Sequence, residues 1–505
     1  MRPTVVRTLK QYTLDKFIKD LISGVTVGII ALPLAIALGI ASGVSPEKGL
    51  ITAVIGGFLV SALGGCSVQI GGPTGAFVVI VAGAIAKHGL DGLILATAMA
   101  GALLILAGVL RFGKLLQFIP YPVVAGFTSG IAITIFSTQV GDFLGLRMGA
   151  APAEFLHKWA AYFRAMGTAS WQTILVGALA LCVILLWPKV NKRVPGTLIA
   201  LLLATLAAFL LPGVATIGSR FADISVSIPA PSLPAFSLAK AKELFPTALT
   251  IAFLAGVESL LSAVVADGMT GMRHDPNMEL VAQGFANIGS AFFGGIPVTG
   301  ALARTAANVR NGGRTPVAGM MHAVTLLAIM LVLMPFVKFV PMTALAAVLM
   351  VVAYNMGEWE YFREMKHLPK SDCAVFLTAF FLTVVLDLVA AIGAALVLAA
   401  ILVLVRLKNM VNVTPQPVDE ATVRLNVQGP LFFVAAHRLQ EIAHQYHGMT
   451  TLLLDLKSVP FMDASALKEM TALRQRAEKS GICLKIENLQ PQPLKLLAKN
   501  GFEVA

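Results

Sequence analysis

The sequence predicts an α-helical membrane protein of about 14 transmembrane segments in two inverted sets of seven, followed by a small soluble α/β domain. Three observations carry that prediction. Of 505 residues, 57% are hydrophobic and only 13% charged; the apolar stretches fall into two groups of seven; and the composition changes abruptly near Val418. A soluble domain needs roughly 25% charged residues to cover its surface, so about half the expected charge is missing and most of this chain must face lipid.

The same composition is a poor fit to a disordered chain, a disulfide scaffold or a nucleic-acid-binding domain. Cys66, Cys182, Cys373 and Cys483 lie far apart, with no CxxC pair and no histidine at zinc spacing, and are read as packing residues. No metal or other cofactor is expected. Nucleotide-binding P-loops and Ser-His-Asp sets are absent from the membrane part, so the protein is not expected to be an enzyme, and its energy must come from an ion gradient or from the substrate itself.

Residues 1–19 carry Arg2, Arg7, Lys10, Lys16 and Lys19 and read as a cytoplasmic segment. The run Leu21–Ile40 follows without a small-x-small cleavage site, so it is expected to be a retained first span. The first set of seven occupies 20–211, with spans near 20–42, 49–63, 67–86, 92–110, 118–140, 171–187 and 195–211. A polar, proline-rich linker over 212–242 is expected outside the cytoplasm. The second set occupies 243–410, near 246–266, 279–293, 297–310, 316–335, 342–354, 372–387 and 388–406. With a cytoplasmic N-terminus this arrangement places 18 Lys and Arg in inside loops and 9 in outside loops, so most of the net charge of +12 is topology. Twelve full spans with two re-entrant segments are the alternative.

An odd number of spans per set inverts the second set relative to the first. The residues support a repeat. Gly71-Gly72-Pro73-Thr74-Gly75-Ala76 opens the third span and Gly294-Gly295-Ile296-Pro297-Val298-Thr299-Gly300-Ala301 opens the tenth. Glycine pairs and prolines inside a span are tolerated only where the helix breaks against protein or a water-filled cavity. Two inverted breaks bring two helix N-termini toward one point, and their free N–H groups and partial positive charge suit an anion. The other reading of these glycines is close helix packing alone.

Glu258, in Leu254–Ser262, occupies a costly place for a carboxylate and is a candidate carrier of a proton. A salt bridge to Arg304 in the tenth span is the plainer reading, and the two do not exclude one another. Arg304 is the only basic residue placed well within a span; it would attract an oxyanion or else snorkel toward Arg310. Thr74, Phe77, Ser259, Ser262 and Thr299 are candidates to line the site, whereas Asp267 and Asp387 lie near span ends and are expected to be solvated.

Residues 418–505 read as a small cytoplasmic α/β domain. Strands are expected over Thr422–Phe433, Thr451–Leu456 and Cys483–Glu487, and helices over Ala435–Tyr446, Asp463–Ser480 and Pro493–Asn500, with Asp463 or Ser465 as a cap.

Over essentially its whole length the chain resembles the sulfate permease family, also called solute carrier family 26. The resemblance rests on Asp20–Pro33, Gly71–Phe77, Val265–Gly271, Pro297–Arg310 and the Val459–Ser465 segment, which looks like the loop of a STAS domain. It implies 7+7 inverted repeats divided into a moving core and a gate domain, a homodimer, and elevator-like transport of a small anion across the bilayer. By position, Ala76 and Phe77 match third-helix contacts to the anion, alongside Thr74 and Gly75. Gly300, Ala301 and Arg304, next to Thr299, match tenth-helix contacts, and Leu34 and Leu38 match the first-helix wall. Glu258 occupies the place of the coupling carboxylate. Leu302 stands where sodium-coupled members offer a hydroxyl, and the acid is Glu rather than Asp, so a proton rather than sodium is expected. The pattern is similar to bacterial members that move C4-dicarboxylates, with sulfate and bicarbonate open, in the inner membrane with both termini cytoplasmic. Ser465 matches a serine phosphorylated in related STAS proteins; the plainer reading is an N-cap. An uncoupled channel or exchanger, sodium-coupled bicarbonate transport and a membrane-tethered signalling scaffold are the rival functions.

Overall fold

The computed structural model describes residues 2–10, 12–114, 120–149, 152, 154–191, 194–221, 229–232, 237–385, 388–419, 421–432 and 450–502. It divides into two compact units, Met1–Leu396 and Val397–Ala505.

The first unit begins with a short α1 (Thr4–Leu9) and the long α2 (Leu14–Ala41), whose N-terminus is capped by the Thr13 side chain accepting from Lys16 N–H. There follow α3 (Pro46–Leu63), β1 (Gly71–Gly72), α4 (Phe77–Val109) and α5 (Tyr121–Leu144). The chain continues through α6 (Phe155–Ala165), α7 (Trp171–Val190), α8 (Gly196–Leu210) and α9 (Ile217–Arg220). Then come α10 (Leu238–Thr270), α11 (Pro276–Phe292), β2 (Thr299–Gly300), α12 (Leu302–Arg310) and α13 (Pro316–Val337). The last helices are α14 (Met342–Met356), α15 (Trp359–Glu364), α16 (Lys370–Val385) and α17 (Leu388–Met410), the last of which crosses the division between the units. Among the described residues, seven helices are long and apolar enough to cross a membrane.

Two stretches break where the Gly-Gly and Pro motifs place a break. Residues 67–76 are not helical, and the third span becomes a helix only at Phe77 before bending at Gly89 into the fourth. The tenth is extended up to Ala301, and its helix has only nine residues, a rise of about 14 Å against a hydrocarbon core of roughly 30 Å. Pro73 and Pro297 lack an N–H and resist the helical conformation in the residue before them, which is why each break falls there.

Helix pairs α4 and α11, α2 and α13, and α5 and α16 pack most extensively. Where α7, α8 and α14 meet, the contact is built largely from alanines: Ala180, Ala200, Ala204, Ala344 and Ala347. Small residues let backbones approach closely, which in lipid does the work that hydrophobic burial does in water. Phe77, Ile131, Ile135, Ile251 and Leu254 belong to the main core cluster.

The second unit carries a four-stranded sheet in the order β3 (Asn412–Pro417), β4 (Thr422–Gln428), β5 (Thr451–Ser458), β6 (Cys483–Glu487), with β3 antiparallel to β4 and the rest parallel. Val423, Leu425 and Val427 alternate inward on β4, as Leu452, Leu454 and Leu456 do on β5. The β4 strand ends sooner than expected because Gly429 turns the chain at φ 91°. Among the described residues, α18 (Ala464–Lys479), capped by Asp463, lies between β5 and β6, and α19 (Pro491–Lys499) follows β6. The helix expected over Ala435–Tyr446 lies outside the described residues.

Candidate functional site

The two breaks meet. β1 and β2 pair antiparallel, Gly71 opposite Gly300 and Gly72 opposite Thr299, and Ala301 N–H donates to Ile70 O at 2.8 Å. Side-chain amides hold the extended segments on either side. Asn287 of α11 accepts from Val298 N–H at 2.9 Å and donates to Val298 O at 2.8 Å. Asn308 of α12 donates to Val68 O at 2.8 Å and accepts from Ser23 at 2.7 Å. Thr52, in a π-helical stretch of α3, accepts from Ile296 N–H at 2.8 Å. Extended backbone at membrane depth needs such partners, and here they come from side chains on the neighbouring helices.

Neither half-helix has a side-chain cap: Ala76 precedes Phe77 and Ala301 precedes Leu302. Their first-turn N–H groups are therefore free of side-chain acceptors and carry the positive end of the helix dipole.

Arg304 is 3% exposed and donates to Gly71 O at 3.5 Å and to Pro73 O. It does not snorkel. Gly72 makes room for it: φ is 153°, and a β-carbon there would fall on the guanidinium. Glu258 is half-buried, and its Oε2 accepts the Thr74 hydroxyl at 2.8 Å. Among the described residues no ion pair joins Glu258 to Arg304, because the guanidinium is turned to the carbonyls that lead into the first half-helix.

The other candidates separate into two groups. Thr74, Gly75, Ala76, Phe77, Gly300, Ala301 and Arg304 lie at the crossing, and Gly75 packs against Ile135 and Met356. Leu38 is buried in the main core cluster and Leu34 packs against it. Three hydroxyls read as site-lining are committed to the scaffold instead. Thr299 donates to Ala255 O at 2.9 Å, Ser259 to Glu279 at 3.1 Å and Ser262 to Thr305 at 3.3 Å, all three residues being 0% exposed. Ser465 lies in the first turn of α18, where Asp463 and not Ser465 caps.

Asp267 is not simply solvated: its Oδ2 is 2.7 Å from His274 Nδ1. Asp387 lies outside the described residues. Cys66 is buried and Cys373 half-buried, but Cys182 and Cys483 are exposed, so packing accounts for only two of the four. Gln69, Glu279, Asn287, Asn308 and His322 were not singled out from the sequence, yet each is at most 2% exposed. For Gln69, Asn287, Asn308 and His322 a signal was present, since polar side chains within or beside apolar spans are functional candidates by default.

Residues 17–379 match the profile of the sulfate permease family. The chain belongs to that family. Residues 414–504 match the STAS domain. The chain is 42% identical to the putative sulfate transporter YvdB of Bacillus subtilis (strain 168) over 98% of its own length and 95% of that protein. It is 30% identical to the bicarbonate transporter BicA of Picosynechococcus sp. (strain ATCC 27264 / PCC 7002 / PR-6), covering 88% of this chain and 84% of BicA. The solved transmembrane domain of a cyanobacterial BicA superposes with a TM-score of 0.69 at 30% identity, over 77% of this chain and 98% of that one. Murine solute carrier 26 family member A9, in an inward-facing state, gives a TM-score of 0.87 at 17% identity over 99% and 90%, a likeness of fold. The protein is thus a multi-pass membrane protein of a family of secondary transporters of small anions, and not of enzymes.

Proposed function

We propose that this protein is a proton-coupled symporter of one small oxyanion or carboxylate, working as an elevator. The observation that carries the reading is the crossing of two uncapped half-helices at β1 and β2, with buried Arg304 beside it and the Thr74–Glu258 contact at its edge. The positive ends of the two half-helix dipoles and a guanidinium supply the pole for the anion, in a site lined by Thr74, Gly75, Ala76, Phe77, Gly300 and Ala301. Glu258 carries the proton, so that the loaded core crosses without an uncompensated carboxylate.

The same reading divides the membrane part into inverted repeats over 20–211 and 243–410, joined by an extracytoplasmic linker over 212–242, in a homodimer. It puts residues 1–19 and the STAS domain, 418–505, in the cytoplasm of a bacterium. Bicarbonate, sulfate and C4-dicarboxylates are the candidate substrates; the kinship with BicA supports including the first. Leu302, a hydrocarbon side chain at the start of α12, supports a proton over sodium.

Uptake of labelled bicarbonate, sulfate and fumarate into liposomes, with an inward proton gradient, an inward sodium gradient or neither, tests the proposal. Proton-stimulated uptake of one anion, lost in Glu258→Gln, is the expected result. Equal flux with and without the proton gradient in both proteins would overturn coupling and leave an exchanger or channel, and stimulation by sodium alone would make the protein a sodium symporter.

A further inference from the structure

The site leaves one buried acid without a role. Glu279, in the first turn of α11, is 0% exposed. Its Oε2 accepts from the N–H groups of Gly65 and Cys66, both at 3.0 Å, and its Oε1 accepts from Ser259 Oγ at 3.1 Å and Gln283 Nε2 at 2.9 Å. A carboxyl group removed from water needs such partners, and charge-assisted bonds of this kind are about twice as strong as neutral ones.

What matters is where the donors come from. Gly65 and Cys66 belong to the segment that leads from α3 into β1, and Ser259 follows Glu258 on α10. Ser259 does not stop at Glu279: Gln69 Nε2 donates to its Oγ at 2.9 Å and to its backbone O at 3.1 Å. The Gln69 amide in turn lies where a β-carbon on Gly300 would stand, and Gly300 is the β2 partner of Gly71. A continuous set of contacts therefore runs from α11, through the residue beside Glu258, to the strand crossing that presents both half-helices.

We propose that Glu279 is a positioning residue for transport: through Ser259 and Gln69 it fixes the register between the α10 turn that bears Glu258 and the β1–β2 crossing. The inference rests on the site reading given above. Among the described residues, Glu279 makes no hydrogen bond to Glu258 or to the first turns of the two half-helices, so it acts on the anion only through the residues it holds.

The test is uptake kinetics and thermal unfolding of the full chain in liposomes, using whichever of sulfate, fumarate and bicarbonate the wild type takes up. Glu279→Gln places an amide before the two backbone donors and is expected to raise KM about tenfold while the maximal rate per folded protein changes less than about twofold. Ser259→Ala and Gln69→Leu break the relay while keeping the Glu279 carboxylate and its bonds to Gly65, Cys66 and Gln283, and keep the test decisive if Glu279→Gln does not fold. Each is expected to raise KM at least about threefold, and the Ser259→Ala/Gln69→Leu pair no more than the larger single change, because the two share one relay. A lowered melting temperature with wild-type KM in these variants, or multiplicative effects in the pair, would overturn the proposal. With wild-type KM in Ser259→Ala and Gln69→Leu but a defect in Glu258→Gln, the relay alone falls. With Glu258→Gln also indistinguishable from wild type, the site reading falls and takes the relay with it.

Discussion

The hydroxyl of Thr74 donates to Oε2 of Glu258 over 2.8 Å, joining the approach to the first half-helix to the middle of α10 across 184 residues of sequence. Among the described residues it is the one hydrogen bond made to that carboxyl group. Thr74→Val keeps the branched shape and removes the donor, at a cost of about 1.5–3 kcal/mol if the carboxylate is charged. Gradient-driven uptake in liposomes is expected to fall about tenfold or more in Thr74→Val and to stay near wild type in Thr74→Ser. Equal rates in the two variants would show that the hydroxyl has no part in coupling.

Gly72 and Arg304 occupy neighbouring space so closely that neither tolerates enlargement of the other. Gly72→Ala adds a methyl at φ 153° and pushes the guanidinium off the Gly71 and Pro73 carbonyls, a combination expected to cost about 2–4 kcal/mol. The loss in Gly72→Ala/Arg304→Ala is expected to be smaller than the sum of the single losses, since Arg304→Ala removes the group that the new methyl meets and both single changes lose the same guanidinium bonds. Thermal unfolding in detergent measures it, and strict additivity would contradict the contact.

Arg304→Lys keeps the charge but offers a point donor where a planar fork bridges two carbonyls. It is expected to retain charge-dependent anion uptake yet raise KM about three- to tenfold, through a looser first half-helix. A KM equal to wild type would mean that charge alone matters at this position.

Outside the membrane part, the Tyr12 hydroxyl donates to Asp20 at 2.9 Å. Burial, then the bond to Asp20 and its negative charge, holds the Tyr12 phenol above its ordinary value. A group whose folded pKa is raised contributes stability that is fully present below the unfolded value and lost as pH climbs toward the folded one. The melting temperature is therefore expected to decline above about pH 10, and to decline less in Tyr12→Phe. Identical alkaline profiles would remove Tyr12 from the account.

In the STAS domain, Asp463 accepts from Ala466 N–H at 2.8 Å at the start of α18. Asp463→Ala is expected to destabilise that helix by about 1 kcal/mol and speed hydrogen exchange in its first turns about fivefold, whereas Ser465→Ala stays within about 0.5 kcal/mol. Mass-spectrometric exchange on the full chain distinguishes them; equal effects would mean that the cap is shared.

The legible parts of the sequence were those with local signatures. Gly71–Pro73 and Gly294–Pro297 announce broken helices because proline and paired glycines act on their own backbone. Glu258 stood out because a carboxylate in an apolar run has no local excuse. Glu279 did not: three residues after Pro276, it passes for an ordinary first-turn acid, and its burial depends on Gly65 and Cys66, more than 200 positions away. Ser259, Ser262 and Thr299 were legible as small polar residues but not in direction, since which acceptor a hydroxyl finds depends on neighbouring elements. The strand Asn412–Pro417 was not expected, and Pro415 and Pro417 hide it because proline weakens a strand pattern; as an edge strand it tolerates them.

The β1–β2 pairing has a consequence for anyone who wants to retune the protein. The extended segments that lead into the two half-helices are tied to each other by main chain, Gly71 to Gly300 and Gly72 to Thr299, so their separation is set by the spacing of a β-ladder, about 5 Å. Side-chain replacement cannot widen or narrow that spacing. Engineering for a larger or smaller cargo has to work on the rim, at Thr74, Phe77, Ala301 and Leu302, and leave the glycine ladder alone.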